Sequence, residues 1–169
     1  MSVISRFRKR KQYIFLLDSL AQAIAFWLFW PELGRFFFAF VDNTAAEFAL
    51  NKGYSRDPDC NIIVSLFWTT VGLLGACPWL ERVPSSAQVA DAVSRNDLAA
   101  AHARGWKHFN ADLTHIWDLI SAAVERHTVA SQFTARKILR EVARLRSAHG
   151  LPAASFEGEI KSRSSMTKH

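Results

Sequence analysis

The chain has 169 residues, half of them apolar and 21% charged, the composition of a folded protein rather than a disordered one, and long enough for one domain with a real core or a small domain plus a helical appendage. Lys and Arg outnumber Asp and Glu by 21 to 15, a net charge of +6, so an anionic partner such as nucleic acid or a lipid surface fits the balance. Two isolated cysteines, Cys60 and Cys77, form neither a disulfide framework nor a metal-ligand spacing, and a reducing, intracellular setting in cytoplasm or nucleus is expected.

The start, MSVISRFRKRKQ, is basic and precedes an apolar run, but Asp18 and Gln22 interrupt that run and no small-residue cleavage site follows. From Gln12 to Trp30 the residues Ile14, Leu17, Leu20, Ala21, Ile24 and Leu28 recur at helical steps, and Pro31 is expected to stop that helix. FFFAFV, bounded by Gly34 and Asp42, reads as a short buried strand with the Asp at its C-terminal edge. Asn43 or Thr44 can cap a helix from Ala45 to about Lys52, with Gly53 as its stop. Ser55 to Asp59 reads as a turn, Asn61 through Leu74 as a third helix ending near Gly75, and Trp79 to Val83 as a second strand. Ser85 or Ser86 caps a short helix through Ala92. Beyond Asp97 the sequence turns Ala-rich and helical in period, with breaks at Gly105 and over Thr128 to Ser131 and a last helix from about Thr134 to Ala148. Residues after Gly150 form a polar, basic tail expected to be disordered.

Two stretches carry a resemblance. FVDNTAAEFALNKGYS, residues 40–55, is similar to the strand, Asp and helix of ribonuclease H-like domains attached to retroelement reverse transcriptases, and WLERVPSSAQVADAVSR, residues 79–95, resembles the last strand, loop and helix of the same domain. Together they lie in about half the chain, with the 12–30 helix in the expected place before them. LLDSLAQ sets Asp18 where the family has an acid, usually Glu, on the preceding helix. The resemblance implies an α/β fold, a partial ribonuclease H-like sheet flanked by helices over residues 12–97, and the composition beyond it adds an all-helical extension over 98–149 and a tail over 150–169. It also implies Asp18, Asp42 and Asp91 as catalytic metal ligands for Mg²⁺ or Mn²⁺, and hydrolysis of the RNA strand of an RNA/DNA hybrid as the inherited activity. Such a cluster suits the chemistry, because splitting a phosphodiester with water requires an activated nucleophile and neutralised phosphate charge, and hard cations take oxygen ligands.

A complete domain of that family opens with a three-stranded meander carrying a further essential Asp, whereas the residues before Asp18 contain no Asp or Glu. Impaired catalysis is the expectation, together with an exposed sheet that a polymerase domain or another chain would cover. Nucleic-acid contact is expected instead at the basic last helix, where Arg136, Lys137, Arg140, Arg144 and Arg146 cover most of one side. His102, His108, His115 and His127 lack partners at ligand intervals and read as surface residues, and the Phe and Trp cluster reads as core rather than as a base-stacking platform. The alternatives are a non-catalytic nucleic-acid-binding protein and a two-span membrane protein using the apolar segments 19–31 and 62–80, the second of which Gly72, Gly75 and Pro78 divide.

Overall fold

We describe residues 13–108, 110–125 and 132–152 of the computed structural model. The basic start, His127, the Thr128 to Ser131 break and the tail from 153 onward lie outside the described residues. The order is α1 (Ile14–Leu33), β1 (Phe36–Val41), α2 (Thr44–Lys52), α3 (Pro58–Leu74), β2 (Cys77–Arg82), a 3₁₀ turn (Ser85–Ala87), α4 (Val89–Ser94), α5 (Ala99–Ala103), α6 (Thr114–Glu125) and α7 (Gln132–Ala148). The protein is mixed α/β: mostly helical, with one two-stranded sheet whose strands run parallel.

Local chemistry sets most of the boundaries. Asn43 Oδ1 accepts from the amides of Ala45 and Ala46 at 3.0 and 3.2 Å, opening α2. Gly53 and Gly75 close α2 and α3 with φ of 73° and 61°, values at which a Cβ would be strained. The third helix begins earlier than Asn61, because Asp57 caps the amides of Asp59 and Cys60 and Pro58 takes the first helical position. Pro31 does not stop α1. Pro31 forfeits the hydrogen bond that an N–H there would give to the Trp27 carbonyl, yet the helix continues through Leu33 and ends at Gly34, φ 69°.

The strand FFFAFV is only half covered. Val41 is buried, but Phe36, Phe38 and Phe40 are 71%, 69% and 49% exposed, because α1 packs on one face of the sheet and no described residue closes the other. The reading of that run as buried is thereby corrected. Trp79, opposite Phe38 in the parallel register, is also exposed, so part of the aromatic content predicted as core lies on the surface.

One core joins the elements. Leu16, Leu20, Ala23, Phe26 and Trp27 of α1 meet Ile63, Leu66, Phe67 and Val71 of α3, and Ile116 and Ile120 of α6 and Ile138, Leu139 and Val142 of α7 belong to the same cluster. The helices predicted as an extension therefore share a core with the segment before them. Inside it, Trp27 Nε1 donates to Thr70 Oγ1 at 2.8 Å, and that hydroxyl donates to the Phe67 carbonyl at 2.7 Å, so two buried polar groups satisfy each other. By length and composition α1 could cross a membrane, yet its Leu16, Leu20, Phe26 and Trp27 are buried in this core; the segment 62–80 is split between α3 and β2.

Candidate acidic site

The C-terminal end of β1 is where chemistry-bearing residues from distant parts of the sequence converge. Residues four apart share a helix face, so Asp18 and Gln22 lie one above the other on α1. Gln22 Nε2 donates to the Phe40 carbonyl at 2.9 Å, which fastens that face of α1 beside the last residues of β1. Asp18 is thereby brought to Asp42, the residue that follows the strand, and to Asn43. From the other side of the chain, Gln88 Nε2 reaches the same Phe40 carbonyl at 3.5 Å.

The electrostatics of Asp18 follow from this placement. Burial pushes its carboxyl above the ordinary aspartate range, the neighbouring Asp42 charge pushes it further the same way, and a hydrogen bond with the Asn43 side chain opposes both. A half-buried carboxyl facing a second acid is an arrangement that a cation would relieve.

Asp91 stands differently. It lies in the first turn of α4, and its carboxylate holds Arg95 at 3.0 Å, an i,i+4 ion pair on a largely exposed surface. Among the described residues no group of three or more His, Cys, Asp or Glu side chains is close enough to hold a metal ion. Asp18 and Asp42 therefore form an acid pair at the end of β1, without a third ligating side chain among the described residues.

On α7, Arg136, Lys137 and Arg140 are exposed. Arg144 is also exposed, but its guanidinium clasps Glu141 through Nε at 2.9 Å and Nη2 at 2.5 Å, and that contact lowers the Glu141 carboxyl pKa. Arg146 is not part of the solvated basic side. It is fully buried, with Nη1 donating to the Leu28 carbonyl at 2.6 Å and to Glu32 Oε2 at 2.9 Å, Nη2 donating to Glu32 Oε1, and Nε donating to the Pro152 carbonyl at 3.2 Å. Lys137, Arg140 and Arg144 line an open groove with His115, but Asp118 and Glu141 line it too, so its charge is mixed. His102, His108 and His115 are exposed.

Gln22, Gln88 and Asn43 were not singled out by sequence as parts of the site. Only Gln22 had a readable signal, its four-residue spacing from Asp18; Asn43 was legible as a cap, and Gln88 depends on how β2 leads into the loop after it. Comparison with known protein families, with characterised proteins and with solved structures finds no match for this chain.

Proposed function

We propose that this chain carries the later part of a ribonuclease H-like domain of a retroelement reverse transcriptase, with its acid site reduced to Asp18 and Asp42. The single observation behind this is that Asp18 on α1 lies near enough to Asp42, just after β1, to feel its charge, while β1 runs parallel to β2 with α2 and α3 between them. The order helix, strand, helices, strand, short helix is the order that the resembling segments imply.

The inherited activity is hydrolysis of RNA in an RNA/DNA hybrid. A divalent ion at such a site supplies a Lewis acid and a more acidic water. Within the chain, Asp18 and Asp42 would hold that ion, Asn43 would keep Asp18 oriented, and Gln22 would keep α1 against β1. With no third ligating side chain beside Asp18 and Asp42 among the described residues, the chain alone is expected to cleave hybrids poorly or not at all. The test is a labelled hybrid incubated with the full chain in Mg²⁺ or Mn²⁺, together with direct Mn²⁺ titration. Weak Mn²⁺ binding lost in Asp18→Asn and Asp42→Asn supports the reading, and the absence of any Mn²⁺ binding above that of the double variant removes it.

A second reading, non-catalytic binding to nucleic acid, draws on the exposed Arg136, Lys137 and Arg140. It predicts hybrid binding that needs no divalent ion and weakens with salt.

A further inference from the structure

The two edges of the sheet are finished differently. The amide of Cys77 donates to the Arg35 carbonyl at 2.6 Å and that of Val83 to the Val41 carbonyl at 3.0 Å. In a parallel ladder both backbone groups of one residue point to the same side, so the odd-numbered residues of β1 face β2 and the N–H and C=O groups of Phe36, Phe38 and Phe40 face outward. On β2 the outward residues are Pro78, Leu80 and Arg82. Pro78 has no N–H to offer, and the Leu80 carbonyl accepts from Asn51 Nδ2 at 3.4 Å, so this edge is blunted. Among the described residues only the Phe40 carbonyl is engaged on the outer side of β1, by Gln22 at 2.9 Å and by Gln88 at 3.5 Å, so a further donor there would displace the longer Gln88 contact. Among the described residues nothing bonds the outward backbone groups of Phe36 and Phe38.

The side chains around this edge extend the feature. One face presents Phe36, Phe38 and Phe40 to solvent. Beneath the edge on the other face, an apolar groove of about 250 Å³ lies between β1 and α1, lined by Ala25, Phe26, Phe29, Leu33 and Phe37. The strand is also charged oppositely at its ends, with Arg35 just before it and Asp42 just after it.

A second copy of this chain meets those requirements. Laid antiparallel with the partner's Phe38 opposite Phe38, β1 sets the partner's Phe36 opposite Phe40, so the outward groups of all three residues exchange hydrogen bonds. The same register sets the partner's Phe37 opposite Ala39, on the groove side, and the partner's Arg35 opposite Val41, next to Asp42. A parallel copy would instead put Arg35 beside the partner's Arg35 and Asp42 beside the partner's Asp42.

We infer that the chain self-associates as a twofold dimer through the open edge of β1, with the partner's Arg35 reaching the acid pair of Asp18 and Asp42. This is independent of hydrolysis: a protein inert toward hybrids can dimerise here, and one that binds Mn²⁺ can remain a monomer. The full chain, examined by sedimentation velocity and light scattering from about 1 to about 100 µM, should show a monomer–dimer equilibrium. Phe38→Lys, an exposed change that puts a charge on the edge, should weaken the dimer by at least about tenfold. Arg35→Asp and Asp42→Arg should each weaken it by about tenfold, since either one turns two attractive contacts into repulsive ones, and the double swap should restore it. Circular dichroism on each variant checks that it is folded. A chain that stays monomeric throughout, a dimer that Phe38→Lys does not shift, or a double swap no tighter than the single changes overturns the inference.

Discussion

Arg146→Met should destabilise the protein, and Glu32→Gln should cost at least as much, although only Arg146 is buried. Arg146 has no exposed surface, while the Glu32 side chain is 45% exposed. Methionine keeps most of the aliphatic volume of Arg146 and removes the charge, so its cost is the loss of charge-assisted hydrogen bonds to Glu32 and of donors to the Leu28 and Pro152 carbonyls. Each such bond to a charged group is worth about 1.5 to 3 kcal/mol, and Glu32 recovers part of this by rehydration, so about 2 to 3 kcal/mol is expected. Glu32→Gln instead leaves a guanidinium buried without its counter-charge, a situation that costs about 3 to 5 kcal/mol when fully buried; the half-exposed partner lowers that to about 3 kcal/mol. Urea unfolding at neutral pH of the two single variants and the double variant gives these terms and their coupling. Because the pair ties the end of α1 to the end of α7, the double variant should cost clearly less than the sum. Two single effects below about 0.5 kcal/mol, or strict additivity, would refute the argument that this pair docks α7 onto α1.

Three further outcomes follow from the same geometry. Thr70→Val keeps the shape but strands the Trp27 indole N–H in the core, so unfolding free energy in urea should fall by about 1 to 3 kcal/mol, whereas a neutral result would mean that the indole finds another acceptor. Asp18, whose folded pKa is raised, holds its proton to higher pH in the folded chain than in the unfolded one; stability should therefore decline as pH rises from the ordinary aspartate value through the raised one, and Asp18→Asn should flatten that part of a pH series of denaturation midpoints. Changing Arg136, Lys137 and Arg140 together to Gln should weaken hybrid binding in fluorescence anisotropy without divalent ions and reduce its salt dependence, while Arg144→Gln should do less because Glu141 already engages that guanidinium.

Much of the element order was legible because it is written in local chemistry. Asn43 before α2, Gly53 after it and Gly75 after α3 act within one turn, and their effect does not depend on the rest of the fold. The start of α3 is ambiguous for a local reason too: Asp57-Pro58 has the composition of a turn, and the same two residues serve as the cap and the first helical position. Burial was harder to read. An unbroken run such as FFFAFV has no alternation to show which face is covered, and only α1 packing on one side makes Phe37 and Val41 inward and Phe38 outward. Arg146 shares a helix and a charge with Arg144, yet one is buried by Glu32, from far away in the sequence, and the other is held at the surface by Glu141, three residues away. At the acidic site, Asp18 and Asp42 are joined through the Gln22 contact, whereas the near neighbour Arg95 claims Asp91.

The proposed site is tested most directly by Mn²⁺ titration of the full chain, followed by electron paramagnetic resonance of free Mn²⁺, beside Asp18→Asn, Asp42→Asn and Asp91→Asn variants. The expected result is one weak site per chain, lost in the first two variants and retained in the third, because among the described residues Asp91 forms no metal-holding group with Asp18 and Asp42. Binding that survives Asp42→Asn, or that disappears in Asp91→Asn, would contradict the account.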